Sequence, residues 1–332
     1  MKFLKNLGTT FLFSLVLFSC KEEKNKNYQP ESIGPINSVA VVMENSLWEG
    51  PVGDKVREYF AASVPALIWD EPQFTITHLP PQVFEGMVRN TRSVLLVQLD
   101  SVNVAHIKSD VYARPQKVGV IKASSIEGLI TNLDKKAAEM VSAFKVLEIN
   151  ETQNRFKRSL SKETVLKDKF GVALDLPSVY KVGKQEDNFV WIDRQIQKGS
   201  MNIIAYELPQ DSFTNDSTFV KDIVKLRDSI GKKYIPGPDV KDKVTYMVTE
   251  KAFAPYVFPA EIAGMKGAEV RGIWEMENYP MAGPFITYIL NDTQNNRKIV
   301  LEGFTFAPAT EKRDYMFELE AILKTAELVD KK

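Results

Sequence analysis

The sequence predicts two bodies in series: an N-terminal mixed α/β layer, a long connecting helix, and a C-terminal α+β half whose antiparallel sheet is packed by helices. Three observations carry this. Short β-rich runs alternate with helical spacing across residues 36–155. One apolar stripe (Ile126, Ile130, Leu133, Ala137, Met140, Phe144 and Leu147) then steps by four and three along a single helix. Beyond residue 156 strand candidates crowd together, with few helical stripes between them.

Taken in order, residues 38–43 (SVAVVM) form a buried strand, and Val52, Val56, Tyr59 and Phe60 mark a helix over 50–62. Residues 74–78 alternate as a strand that Pro80 and Pro81 end, while 93–99 and 118–121 are further buried strands. Ser124 and Glu127 offer a capping box for the long helix, which runs to about residue 156. The domain boundary is expected at 150–160. In the second half Gly171 caps a short helix, and Phe219, Ile223, Leu226 and Ile230 form a stripe closed by Gly231. Strands are expected at 178–182, 189–192, 202–208, 244–249, 269–277, 285–290 and 299–306, before a last amphipathic helix from Tyr315 to Ala326.

The first residues have a different purpose. Lys2 and Lys5, an apolar run over 7–18 and small Ser19 have the layout of a secretory signal, assigned to residues 1–19. The run is shorter than the roughly 20 residues a spanning helix needs. Leu17-Phe18-Ser19-Cys20 resembles the lipobox of bacterial lipoproteins, which implies a lipid on Cys20 and attachment to a membrane. Lys21, Glu22 and Glu23 resemble the surface-export signal of Bacteroidota lipoproteins, with a solvated charge run as the alternative. Residues 20–35 read as the lipidated cysteine and a flexible tether. The outer membrane is the expected location, on its periplasmic face or at the cell surface.

Cys20 is the single cysteine of 332 residues, so the mature fold holds no disulfide, zinc-thiolate site or cysteine nucleophile. Basic and acidic residues number 43 each. Loss of Lys2 and Lys5 with the leader leaves 41 against 43, a mature charge of −2. Such a chain without a basic block gives no reason to expect nucleic acid as a partner.

Several segments resemble an uncharacterised family of Bacteroidota lipoproteins, known as a domain of unknown function. They are NSVAVVMENSLWEGPVGD at 37–54, VYARPQKV at 111–118, RDSIGKKYIPGP at 227–238, RGIWE at 271–275, MAGPFITYIL at 281–290 and EGFTFAPATEKRDYMFELEAIL at 302–323. The likeness spans nearly the whole mature chain. It implies an envelope location and this architecture, and transfers no catalytic residue.

Candidate chemistry is sparse. His78 and His106 are the only histidines and stand far apart, without a G-x-S-x-G elbow or a second histidine at zinc-ligand spacing. Glu275 and Glu277 are the strongest carboxylate pair, because residues two apart on a strand share a face. Read functionally they would line a groove near Trp274 and Tyr279; read structurally they form a solvent face with Arg271. Asp70 and Glu71 beside Trp69 make a weaker pair, pointing apart in extended chain. Gly237 and Gly283 read as turns. Lys312 and Arg313 open the final helix, where the dipole favours acids, and this predicts internal carboxylates beside them, with an external anionic ligand as the alternative. Three Asp-Ser dipeptides (at Asp100, Asp216 and Asp228) resemble a Bacteroidota O-glycosylation sequon. No cofactor or metal motif is present. The expectation is a non-enzymatic envelope lipoprotein that binds an envelope protein or glycan; the alternative is a glycan- or cell-wall-directed hydrolase using Glu275 and Glu277.

Overall fold

The structure, a computed structural model, describes residues 29–330 apart from 214 and 215. Cys20, Lys21, Glu22, Glu23 and the leader therefore lie outside the described residues.

The N-terminal half begins with β1 (Ser38–Val42), α1 (Asn45–Trp48), α2 (Pro51–Phe60) and β2 (Thr75–Leu79). Two 3-10 turns (Pro81–Val83 and Gly86–Asn90) lead to β3 (Ser93–Leu99), β4 (Val104–Ser109) and β5 (Lys117–Ala123). The five strands order as β2-β1-β3-β5-β4, with β4 alone antiparallel to its neighbour. Crossover connections make the other pairs parallel, which explains why β1, β3 and β5 read as near-continuous apolar runs. Strand β4 escaped prediction because its residues are only half-buried at the sheet edge.

Helix α3 (Ile126–Phe156) lies across this sheet. Leu133, Ala137, Met140 and Phe144 of the stripe are fully buried against Val41, Leu95 and Ile121, whereas Ile126 at the first turn is exposed. The cap is Ser125, not Ser124: its hydroxyl accepts from Gly128 N at 3.1 Å. Past Phe144 the stripe widens until Leu147, Glu148 and Ile149 are all buried, because α3 there runs between the two halves.

The C-terminal half follows as α4 (Val165–Phe170), β6 (Val172–Ala173), β7 (Lys181–Glu186), β8 (Phe189–Ile196), β9 (Gly199–Pro209), α5 (Phe219–Tyr234), β10 (Met247–Thr249), β11 (Tyr256–Ile262), β12 (Met265–Met276), β13 (Tyr279–Asp292), β14 (Arg297–Phe306), α6 (Arg313–Leu323) and β15 (Glu327–Leu328). Eight strands form an antiparallel sheet in the order β10-β12-β13-β14-β9-β8-β7, with β11 also paired to β12. One face packs on α4 and α6, the other on α5. Leu319, Ile322 and Leu323 of α6 are completely buried, worth about 2 kcal/mol each by area.

Two glycine expectations change. Helix α5 continues to Tyr234, so Gly231 does not cap it; a Cβ there would stand 2.0 Å from the Met247 carbonyl oxygen, and the glycine lets β10 touch the helix. Gly283 lies inside β13, opposite Trp274, and a Cβ there would stand 2.0 Å from the Thr305 carbonyl oxygen and 2.8 Å from the Trp274 indole nitrogen. Gly171, at φ +59°, caps α4 as expected.

Candidate functional site: the cleft between the halves

The two halves meet along α3, α6 and the outer face of β12. Glu71, almost fully buried, places both carboxylate oxygens at the start of α6. They accept from Lys312 N at 2.8 Å and from Arg313 N at 2.7 Å. A carboxylate on otherwise unbonded helix N–H groups, aligned with the dipole, is a strong cap. The expected internal carboxylate beside Lys312 and Arg313 is thus Glu71, binding their main chain. The side chains turn elsewhere: Lys312 Nζ sits 4.4 Å over the Trp69 ring, and Arg313 reaches Pro72 O and Thr75 Oγ1. Asn37 to Asp314 (3.2 Å) and Gln153 to Ala321 O (3.0 Å) add to the seam.

Two cavities open along this seam, and Phe317 of α6 borders both. The larger, about 480 Å³, lies between Arg155 and Arg158 at the end of α3 and Arg194 and Glu318 across from them. Its charges are largely satisfied internally. Arg155 donates to Glu151 at 2.7 Å, and Glu318 accepts from Arg194 and, at 2.9 Å, from the Tyr180 hydroxyl. Burial, and then Glu318, push the Tyr180 phenol well above its ordinary range.

The second cavity, about 390 Å³, is lined by Lys145 of α3, Glu269 and Arg271 of β12, Glu320 of α6, and apolar Phe258, Met316 and Phe317. Arg271 donates to Glu269 Oε1 at 2.5 Å and to Glu320 Oε2 at 2.7 Å. Lys324 also reaches Glu320, and the Tyr288 hydroxyl donates to Glu269 at 2.8 Å. Burial alone would raise the Glu320 pKa; Arg271 and Lys324 outweigh it and hold the carboxyl at about 2. Lys145 differs from these groups. Among the described residues no hydrogen bond or ion pair ties its ammonium, and burial lowers its pKa. Glu320 opposes that shift, while Arg271 and Lys324 add to it. A lysine of this kind is poised to take an anion, or to act from its neutral form.

The other candidates take quieter positions. Glu275 lies on β12 toward the strand's far end, while Glu277 stands in the turn just past it, beyond a register shift at Glu275/Met276, and both are outside the two inter-domain cavities. Glu277 pairs with Lys251 at 3.3 Å. Trp274 points the other way into the core, donating to Thr305 O at 3.3 Å, and is 1% exposed. The groove that would join the acids to Trp274 is therefore not formed, and Arg271 pairs with Glu269 and Glu320 instead of Glu275. His78 stacks on Trp48 and bonds Met43 O at 2.9 Å, and His106 sits on edge strand β4. Ser229 lies within α5 with its hydroxyl on Leu226 O, and Gly237 follows a single bridge between Pro236 and Tyr246. Among the described residues no three His, Cys, Asp or Glu side chains gather as metal ligands. No helix among them is long and apolar enough to cross a membrane.

Residues 159–325, half of the chain, match the model of a domain of unknown function, DUF4837. The chain belongs to the DUF4837 family. Residues 32–157 match a second domain of unknown function, DUF8532, so the DUF4837 and DUF8532 regions meet where α3 ends. No curated protein matches the chain. Among solved structures it is similar to the Saccharomyces cerevisiae Ran-binding protein Mog1p, at 10% identity over 48% of this chain and 91% of that one, with a TM-score of 0.30. A point mutant of protein Mog1 is similar at 11% identity, 48% and 92% coverage and the same TM-score. Likeness at that level bears on neither mechanism nor partners.

Proposed function

We propose that this DUF4837 protein is a Bacteroidota cell-envelope lipoprotein, anchored at the outer membrane through Cys20, whose body binds a ligand in the cleft and does not catalyse. The observation that carries the binding reading is Lys145: an ammonium without a hydrogen-bond or ion-pair partner among the described residues, on the wall of a 390 Å³ cavity to which both halves contribute. A ligand that fits presents one carboxylate or phosphate to Lys145 and an apolar portion to Phe258, Met316 and Phe317. The neighbouring acids are already held by Arg271 and Lys324, and Arg313 on the same wall is paired with Asp314, so Lys145 is the cation left to meet an occupant. A small envelope metabolite, a glycan acid or the carboxylate of a partner protein shares that chemistry.

Protein purified from its native envelope and then denatured should release an anionic compound detectable by mass spectrometry. Lys145→Met protein should release none. Equal recovery from both variants excludes the cleft, and recovery from neither excludes a small ligand there. The anchor is tested separately. Cys20→Ala should move the protein from the membrane pellet to the soluble fraction, and alanines at Lys21, Glu22 and Glu23 should end protease accessibility on intact cells if the face is external.

A further inference from the structure

We infer that the N-terminal sheet face turned away from α2 and α3 lies on the lipid bilayer. This rests on the anchor at Cys20 proposed above, and the test separates the two. The expected tether over 20–35 is shorter than the sequence implied, because the body already holds its own chain by Gln29. The Gln29 side chain bonds Asp110 O, Arg114 N donates to Pro30 O at 2.9 Å, and Ile33 N donates to Asn90 O at 2.8 Å. Only residues 21–28 separate Cys20 from this docked run. Such a segment spans at most about 30 Å fully extended. The surface around Gln29 is therefore the one kept near the lipid.

That surface carries Ile33, Met87, Val88 and Val111, with exposures of 43%, 72%, 39% and 37%. They form one patch. Ile33 bridges Thr91 at the end of the turn that holds Met87 and Val88. Arg89 of the same turn lies 5.6 Å over the ring of Tyr112, the neighbour of Val111. Contiguous exposed apolar groups of this kind mark interaction surfaces, where scattered single ones do not. Among the described residues no helix covers this face; 3-10 turns and the Tyr112 loop close it over Ala40, Val42, Val94 and Val118. Arg89 and Arg114 stand against Glu31, Glu85 and Asp110 around the patch, so it carries no excess of positive charge. Apolar insertion, rather than attraction to anionic lipid, is what this surface offers a membrane.

The test uses the mature lipidated protein in phosphatidylcholine vesicles with brominated acyl chains, carrying an environment-sensitive fluorophore at Met87→Cys. Cys20 is the native chain's only cysteine, and its lipid blocks it, so one thiol takes the label. Insertion into the headgroup–acyl boundary should quench on the order of half the emission, independently of added anionic lipid. A probe at Phe253→Cys, an exposed aromatic on the C-terminal half, should stay bright. Vesicle-bound protein with a bright Met87 probe, or with the Phe253 probe quenched in its place, overturns the docking face. Protein that labels at two thiols and fails to float with the vesicles overturns the anchor itself.

Discussion

Two of the arginines that meet glutamates in the C-terminal half do so with opposite outcomes. Arg227 of α5 holds Glu302 through Nε and Nη2 (2.9 and 2.6 Å), gives Nη1 to Thr249 and lies 3.6 Å over the ring of Phe285. Thr287 completes Glu302 at 2.7 Å. Both residues are almost fully buried. Burial and then Glu302 push the nearby Tyr206 phenol far above its usual range. Arg271 meets Glu269 and Glu320 with similar bonds, yet its cluster borders a cavity and has Lys145 beside it, with no hydrogen-bond or ion-pair partner among the described residues. A sealed ion pair holds a sheet to a helix; an open cluster with one charge left over is equipped to receive something.

The largest way to break the comparison is at the sealed pair. Arg227→Met should lower unfolding free energy by about 3–5 kcal/mol, because Glu302 is left buried and charged. The double variant Arg227→Met/Glu302→Leu should recover much of that loss in urea titrations. Failure to recover would show that geometry beyond the charges holds α5 in place. Next comes the cap: Glu71→Ala should cost about 1–2 kcal/mol and speed hydrogen exchange at the Lys312 and Arg313 amides.

Acid should separate the clusters more gently. The Glu320 pKa is depressed in the folded state, so its contribution is fully present above the unfolded value of 4.5 and is lost as pH falls through about 2. Urea midpoints measured across that window should fall in the wild type and fall less in Glu320→Gln. The smallest effect is expected at Lys145, whose charge the fold disfavours. Lys145→Met should leave the thermal midpoint unchanged or raise it by a degree or two, on the order of 0.5 kcal/mol. A clear loss of stability there would mean that the lysine supports the fold, and the comparison would collapse.

Period and spacing made the frame legible. The stripe from Leu133 to Leu147 placed α3, and the apolar residues Val270, Trp274 and Met276 marked the core face of β12, whereas Glu277 falls past the strand's end, beyond a register shift that period does not reveal. What period cannot supply is the object each face meets. Arg271 and Glu275 look alike on a strand, but α6 covers only the first. Strand β11 was missed because its half-exposed edge residues lack a clean alternation. Lys145 stands next to Phe144 on a helix that reads as amphipathic, and only the arrival of the second half turns its solvent side into a cavity wall. The single available signal was Glu148, an acid four residues beyond Phe144 on the buried stripe. It is completely buried, bonded to Arg92, Ser93 and the Asn37 amide, and marks where α3 begins to run between the two halves.

Glu71 also fixes an order of assembly. It belongs to the N-terminal half, yet its hydrogen-bond partners are Lys312 and Arg313, 241 and 242 positions later. During synthesis the early half emerges first, and until α6 arrives its carboxylate has only water to bind. The final helix therefore acts as a latch: a chain truncated before it keeps an unfilled socket on its first domain, and a severed second half lacks the acid that starts its last helix. The latch joins the DUF8532 and DUF4837 regions of this chain, so a graft that exchanges either region must carry its side of it.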